Sequence, residues 1–167
     1  MNYSHLTALL NLSGVEIESF KISDDCIVYD LIILDNGTKC PKCTSYTEEL
    51  HQVRKILVRD LPAFGKKVHL QIPRRQFYCK VCQCYITEHL YFIDFRRKYT
   101  QRFEQEIYEQ ANNFSLEQLS KLENLEVGEI KNIVSHVKRK NNREHPNFAK
   151  TPAPFRVGEK WQRFPQI

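Results

Sequence analysis

The sequence predicts an α+β protein: a small metal-stapled antiparallel β domain over residues 1–92, an all-helical domain over 93–140, and a proline-containing tail over 141–167. Three observations predict it. Two C-x-x-C pairs, Cys40-Pro41-Lys42-Cys43 and Cys79-Lys80-Val81-Cys82, bracket a stretch of 35 residues. Within that stretch Val68-His69-Leu70-Gln71-Ile72 alternates cleanly between apolar and polar residues, which is the period of a half-buried strand. Beyond Thr100 the apolar residues recur instead at helical spacing.

The metal comes first because it organises the β part. Each C-x-x-C pair offers two sulfurs converging on one ion, and borderline-soft zinc accepts four thiolates in a closed tetrahedron. A closed site leaves no position for water or substrate, so the zinc is expected to be structural. Cys40, Cys43, Cys79 and Cys82 are the expected ligands. Cys84 stands two residues past Cys82 and competes with it; His51, His69 and His89 are nearby substitutes. Cys26, in an apolar run with no neighbouring partner, is expected in the core. The N-terminus lacks a basic segment followed by an apolar one, the mark of a secretory signal. No apolar run approaches the roughly 20 residues that span a bilayer. A cytoplasmic setting follows as an expectation, with no membrane partner, and there paired cysteines favour metal over disulfides.

Taken in order, residues 4–12 form a short helix with Ser4 as cap and Leu6, Leu9 and Leu10 on one face. Val15 to Lys21 alternates, with the phase slipping at Ser19; Ser23-Asp24-Asp25 turns the chain; Cys26 to Leu34 is rich in β-branched residues. These are the two strands of a hairpin. Asp35-Asn36-Gly37 then delivers the chain to Cys40. Strands are expected over 53–58 and 68–73, the second continuing through Arg74-Arg75-Gln76-Phe77-Tyr78. They make a hairpin or meander about Phe64-Gly65, pinned at both ends by the metal.

Charge is unevenly spread. The chain has 167 residues and a net charge of +5, yet residues 51–102 alone carry 12 basic against 3 acidic side chains, a net +9. A concentration of that kind suits a polyanionic partner. In residues 85–99, Tyr85, Tyr91, Phe92, Phe95 and Tyr99 interleave with Arg96-Arg97-Lys98. That mixture suits stacking and phosphate contact, although aromatics at such spacings more often belong to a core.

The helical part opens with Thr100 as a cap and Phe103, Ile107, Tyr108 and Ala111 on one side of a helix over 101–112. Ser115 with Gln118 makes a capping box, and Leu116, Leu119 and Leu122 are expected to face inward. After the turn Asn124-Leu125-Glu126, the residues Val127, Ile130, Ile133, Val134 and Val137 form the stripe of a further helix that ends near Lys138-Arg139-Lys140. Two short helices on a tight turn suit a helix-turn-helix, and also plain bundle packing.

Together these residues resemble a known family. Cys40-Pro41-x-Cys43, Arg59-Asp60-Leu61-Pro62 with Gly65, Arg74-Arg75-x-Phe77-x-Cys79 and Thr87-Glu88 resemble the N-terminal zinc-finger region of ISL3-type insertion-sequence transposases. Tyr99-Thr100-Gln101-Arg102-Phe103 and the helices of 115–137 resemble the helix-turn-helix segment that follows it there. The resemblance covers roughly residues 5–140 and implies binding to terminal inverted repeats. It also implies a downstream nuclease domain with three metal-holding acids. Only 27 residues follow Lys140, with Glu144 and Glu159 as their acids, so a truncated, non-enzymatic product is expected. Cys84 departs from the family, whose members commonly carry a basic or polar residue there.

The functional expectation is a two-part module for double-stranded DNA. Arg54, Lys55, Arg59, Lys66, Lys67, Arg74 and Arg75 would meet the backbone, as would Arg96 and Arg97, while Lys131, Asn132, Ser135, His136 and Lys138 would face a major groove. Arg59 is equally well read as held by Asp60 or another carboxylate within the fold. The rival expectation is a zinc-stapled interaction module that forms a homodimer or associates with full-length transposase.

Overall fold

Two hairpins build the main sheet of a computed structural model that describes residues 3–144. A short helix, α1 (Ser4–Leu10), leads into β1 (Val15–Ile22) and β2 (Cys26–Ile33), an antiparallel pair. The second hairpin is β5 (Leu50–Ala63) with β6 (Lys66–Cys79), each 14 residues long. Between the hairpins lie β3 (Thr38–Lys39) and β4 (Tyr46–Thr47), a small sheet of their own. After β6 come β7 (Cys84–Thr87) and the helices α2 (Gln101–Gln110), α3 (Leu116–Glu123) and α4 (Val127–Glu144).

The strand order is β1-β2-β6-β5, with β7 beside the far end of β6. The β2–β6 pair is parallel, which corrects the expectation of a wholly antiparallel β domain. Its register aligns Ile27 with Val68 and Tyr29 with Leu70. All four are buried, so this pairing lets both hairpins turn their apolar residues to one face. Leu10, Val15, Leu31, Val58 and Ile72 complete that core, with Leu90 and Ile93 from the segment after β7. The expected slip at Ser19 is a bulge, a register shift between Ile17 and Ser19. The β5–β6 turn is made by Phe64 (φ 54°) and Gly65 (φ 72°), the left-handed pair that matches strand twist in a two-residue hairpin loop.

The helices share a second core of Phe103, Ile107, Leu119, Ile130 and Ile133. Thr100 caps α2, accepting from the Phe103 N–H, and Ser115 with Gln118 forms a complete capping box on α3. Asn124 ends α3 in the left-handed conformation (φ 52°). Leu122, expected inside, is 63 % exposed: the eight-residue α3 buries only Leu119 fully, and its third leucine falls off that face.

The expected boundaries shift in two places. Ile93 belongs to the sheet's core, one residue beyond the expected end of the β domain. Residues 141–144, assigned to the tail, continue α4, because Lys138-Arg139-Lys140 carries no helix-breaking residue. Residues 145–167 of the expected tail lie outside the described residues.

The two cores are joined by Arg59-Asp60-Leu61. Arg59 donates to the Glu123 carbonyl (2.7 Å) and carboxylate (2.6 Å) at the end of α3, with its guanidinium 4.7 Å from the centre of the Phe103 ring. Asp60, 1 % exposed, accepts from the Thr100 hydroxyl (2.6 Å) and from both Nε and Nη2 of Arg102, which also donates to the Leu10 carbonyl. Leu61 packs on the helical core. The backbone adds its own link, with Arg59 N–H donating to Lys98 and Thr100 N–H donating to Arg59. Of the two readings of Arg59, the fold role is the one the contacts support.

Candidate metal centre and nucleic-acid face

The sequence places each C-x-x-C pair at a turn between two short strand ends. The first pair lies between β3 and β4, and the second between β6 and β7. Pro41, with its fixed φ, suits the tight first turn. Its backbone is closed by Cys40 N–H donating to the Ser45 carbonyl (2.8 Å) and Thr44 N–H donating to the Cys40 carbonyl (2.9 Å). In both turns the residue after the second cysteine is left-handed: Thr44 at φ 61° and Gln83 at φ 51°. The chain approaches the first turn through Gly37, where a Cβ would stand 2.3 Å from the Thr47 carbonyl oxygen. Only glycine lets β3 and β4 lie that close.

Thr44 is β-branched, and left-handed backbone is costly for such a residue. Thr44→Gly is therefore expected to stabilise the zinc-loaded chain by about 1 kcal/mol, after allowing for glycine's looser unfolded state. A urea titration of the two proteins measures it, and an unchanged or lower midpoint would count against the strain at this turn.

The four sulfurs of Cys40, Cys43, Cys79 and Cys82 lie within 4.8 Å of one another. Cys40 to Cys82 is 3.8 Å and Cys43 to Cys79 is 3.6 Å. A tetrahedron with Zn–S arms of about 2.3 Å has edges of about 3.8 Å, so the sulfurs already stand at zinc spacing. Cys84 is outside this group; it faces Cys79 across the β6–β7 ladder. The histidines are elsewhere as well: His51 packs on Tyr85 and His89 on Tyr91, while His69 sits mid-strand in β6. Cys26 is half-buried at the start of β2, 3.1 Å from the Ser23 hydroxyl.

Sulfurs this close cannot all ionise alone. The Ser45 hydroxyl, 2.8 Å from the Cys43 sulfur, holds that thiol down at about 6. The bond shared with Cys43, together with burial, pushes Cys82 up to about 12. A dication removes that conflict by binding four thiolates at once. The site binds zinc. Ser45 also reaches Cys79 at 3.4 Å, so it supports one sulfur from each pair; its place two residues past Cys43 was the available sequence signal.

The cationic residues divide into two sets. In the first, the positive group is already satisfied within the fold, because a charge that is partly buried needs a partner. Arg59 is held by Glu123 as described. Arg75 makes a two-pronged contact with Glu88 (2.9 and 2.6 Å) and donates to the Asp35 carbonyl. Arg97 binds Glu104 at 2.6 Å and also donates to the Asn132 side chain. Lys66 staples the β1–β2 turn through the Ser23 and Asp24 carbonyls, and Lys55 meets Asp30 at 3.4 Å across a largely exposed contact. His136 is 2.8 Å from Asp94. These placements give Arg59, Arg75, Arg97, Asn132 and His136, each expected at the DNA, partners within the fold.

Asp94, Glu104 and His136 also converge within 4.8 Å. Lys140 pairs with Asp94 at 3.1 Å, as Arg97 does with Glu104, so both carboxylates are already matched by cations. Burial opposes ionisation of Asp94, but hydrogen bonds from His136 and Lys140 bring it below the usual carboxylate range; burial of Glu104 pushes its carboxyl up despite Arg97. The group is an ion-pair network tying the segment before α2 to α4.

Of the expected DNA contacts, Arg54, Lys67, Arg74, Arg96, Lys131 and Lys138 have no carboxylate partner among the described residues. Lys131, Ser135 and Lys138 are exposed on α4. Arg96 and Lys98 line a cleft at the start of that helix together with Glu126, Gly128, Glu129 and Asn132.

No helix among the described residues is long and apolar enough to cross a membrane. Compared with known proteins, the chain matches no curated protein and no solved structure. Residues 37–82, the span from the close-packed glycine to the last zinc ligand, match the family described as the zinc-finger of transposase IS204/IS1001/IS1096/IS1165. This cysteine-bearing segment is thus similar to an ISL3-type zinc ribbon.

Proposed function

We propose that this chain is a DNA-binding module of transposase type, which recognises terminal inverted repeats and takes no part in strand cleavage. The zinc ribbon of residues 37–82 carries the reading, since its family is that of transposase zinc-fingers. Two further features support it. The ribbon's four sulfurs fill a tetrahedron and leave no open position for chemistry. The helices α3 and α4, joined at the left-handed Asn124, leave Lys131, Ser135 and Lys138 facing outward. In this arrangement α4 enters a major groove as the second helix of a helix-turn-helix, and Arg96 and Lys98 meet the adjacent phosphates.

The test is an anisotropy titration of the zinc-loaded chain against a duplex of the element's terminal repeat and against a scrambled duplex, over a range of salt. The expected result is tighter binding to the repeat. The combined change Lys131→Ala and Lys138→Ala is expected to reduce the salt slope by about two, one for each phosphate that no longer has a lysine beside it. Equal affinity for both duplexes at physiological salt would defeat specific recognition. A second reading, a protein-interaction module serving a homodimer or a full-length transposase, draws on the exposed apolar side chains Leu50, Val53 and Leu57 along β5.

A further inference from the structure

Resting on the DNA-binding reading above, we infer that the Arg54–Arg74 pair and Phe95 form a separate subsite for an unpaired nucleotide, with the base stacked on Phe95 and a flanking phosphate held by the two arginines. Arg54 and Arg74 stand directly opposite each other on β5 and β6. Like charges in that position repel, and no carboxylate among the described residues relieves them. Elsewhere in the sheet the arginines are matched, Arg59 by Glu123 and Arg75 by Glu88. A phosphate supplies the counter-charge that this pair lacks.

The aromatic half of the subsite is next to it. Leu90, Phe92 and Ile93 anchor the segment in the sheet's core. Phe95, two residues on, is 68 % exposed. Its ring centre lies 5.8 Å from the Arg74 guanidinium carbon and 5.1 Å from that of Arg96. Arg96 is itself left-handed at φ 60°, a strained conformation that turns the chain sharply just after the ring. An exposed aromatic bordered by guanidinium groups is a stacking platform. A paired base inside a duplex has both faces covered by its neighbours, so this platform takes a base that is unpaired.

The experiment uses the full zinc-loaded chain with two probes, a short labelled oligothymidylate and a labelled terminal-repeat duplex. Phe95→Leu is expected to weaken oligothymidylate binding about tenfold or more, the usual scale for removing one stacked base, and to change duplex binding by no more than about twofold. Phe95→Trp restores the single-strand affinity. Arg74→Met lowers the single-strand salt slope by about one. An unchanged oligothymidylate affinity in Phe95→Leu overturns the subsite, as does an equal loss on both probes. The scrambled-duplex titration decides the recognition reading separately, so a chain that binds oligothymidylate through Phe95 without preferring the repeat loses that reading and keeps this one.

Discussion

Cys79→Ser is expected to lose the bound zinc and unfold the metal-binding end of the ribbon while the helical unit stays folded. The small sheet of β3 and β4 has two residues per strand, far too little to persist unaided. Its apolar support is slight, a cluster of Cys40, Cys79 and Ile86 in which two of the three buried residues are ligands. Structural zinc contributes on the order of 10 kcal/mol to small domains of this kind, and nothing else at this end of the protein approaches that. The helices have their own core about Phe103 and Ile130. Amide exchange should show protection lost over residues 38–47 and 76–87 in Cys79→Ser or after chelation, and retained in α2 and α4. Metal analysis of Cys84→Ser should still give one zinc per chain. Protection of residues 38–47 that survives metal removal would contradict the account of the ribbon.

The second large effect is expected at Asp60. Asp60→Ala takes away the acceptor of both the Thr100 hydroxyl and the Arg102 guanidinium and leaves them facing a buried gap. Breaking one side of a buried ion pair typically costs about 3–5 kcal/mol. The lower end applies here, since a third of the Arg102 side chain is exposed and can be rehydrated. The exposed pairs provide the contrast: with Lys55 60 % and Lys80 80 % exposed, Lys55–Asp30 and Lys80–Glu49 are worth about 0–1 kcal/mol each. Thr100 also caps α2, so the loss loosens the first turn of that helix as well. Urea unfolding measures the change. A difference below about 0.5 kcal/mol, the scale of an ordinary surface substitution, would mean that Asp60 does not join the two cores.

Local features were legible because local chemistry decides them. The bulge at Ser19, the Ser115–Gln118 box, the turn at Asn124 and the Phe64-Gly65 turn all follow from residues within a few positions of one another. The ligand set was legible with Cys84 and three histidines as competitors; the pairing of Cys84 with Cys79 across β6 and β7 sets it apart from Cys82. Long-range choices were hidden. Nothing near Arg59 in sequence announces Glu123, 64 residues away, and nothing near Asp60 announces Arg102, 42 residues away. The parallel contact of β2 with β6 was hidden for the same reason. The cation-rich segment therefore looked like one continuous DNA face, whereas several of its charges are spent inside the fold and a smaller set remains outside.

The parallel placement of β6 also sets an order of assembly. The β5–β6 hairpin closes through a two-residue turn and can form as soon as its strands are made, on the microsecond scale. Its contact with β2 spans about 41 residues, as from Ile27 to Val68, and must wait for a larger loop to close. The metal comes later still along a growing chain. Cys40 and Cys82 are 42 residues apart, and the second sulfur pair hangs from the far end of a strand about 45 Å long. A chain still in synthesis holds half a metal site until Cys82 has emerged. In that interval its first cysteine pair is exposed to oxidation or to a wrong metal, so the turn that follows β6 acts as a timer on when the ribbon becomes chemically inert.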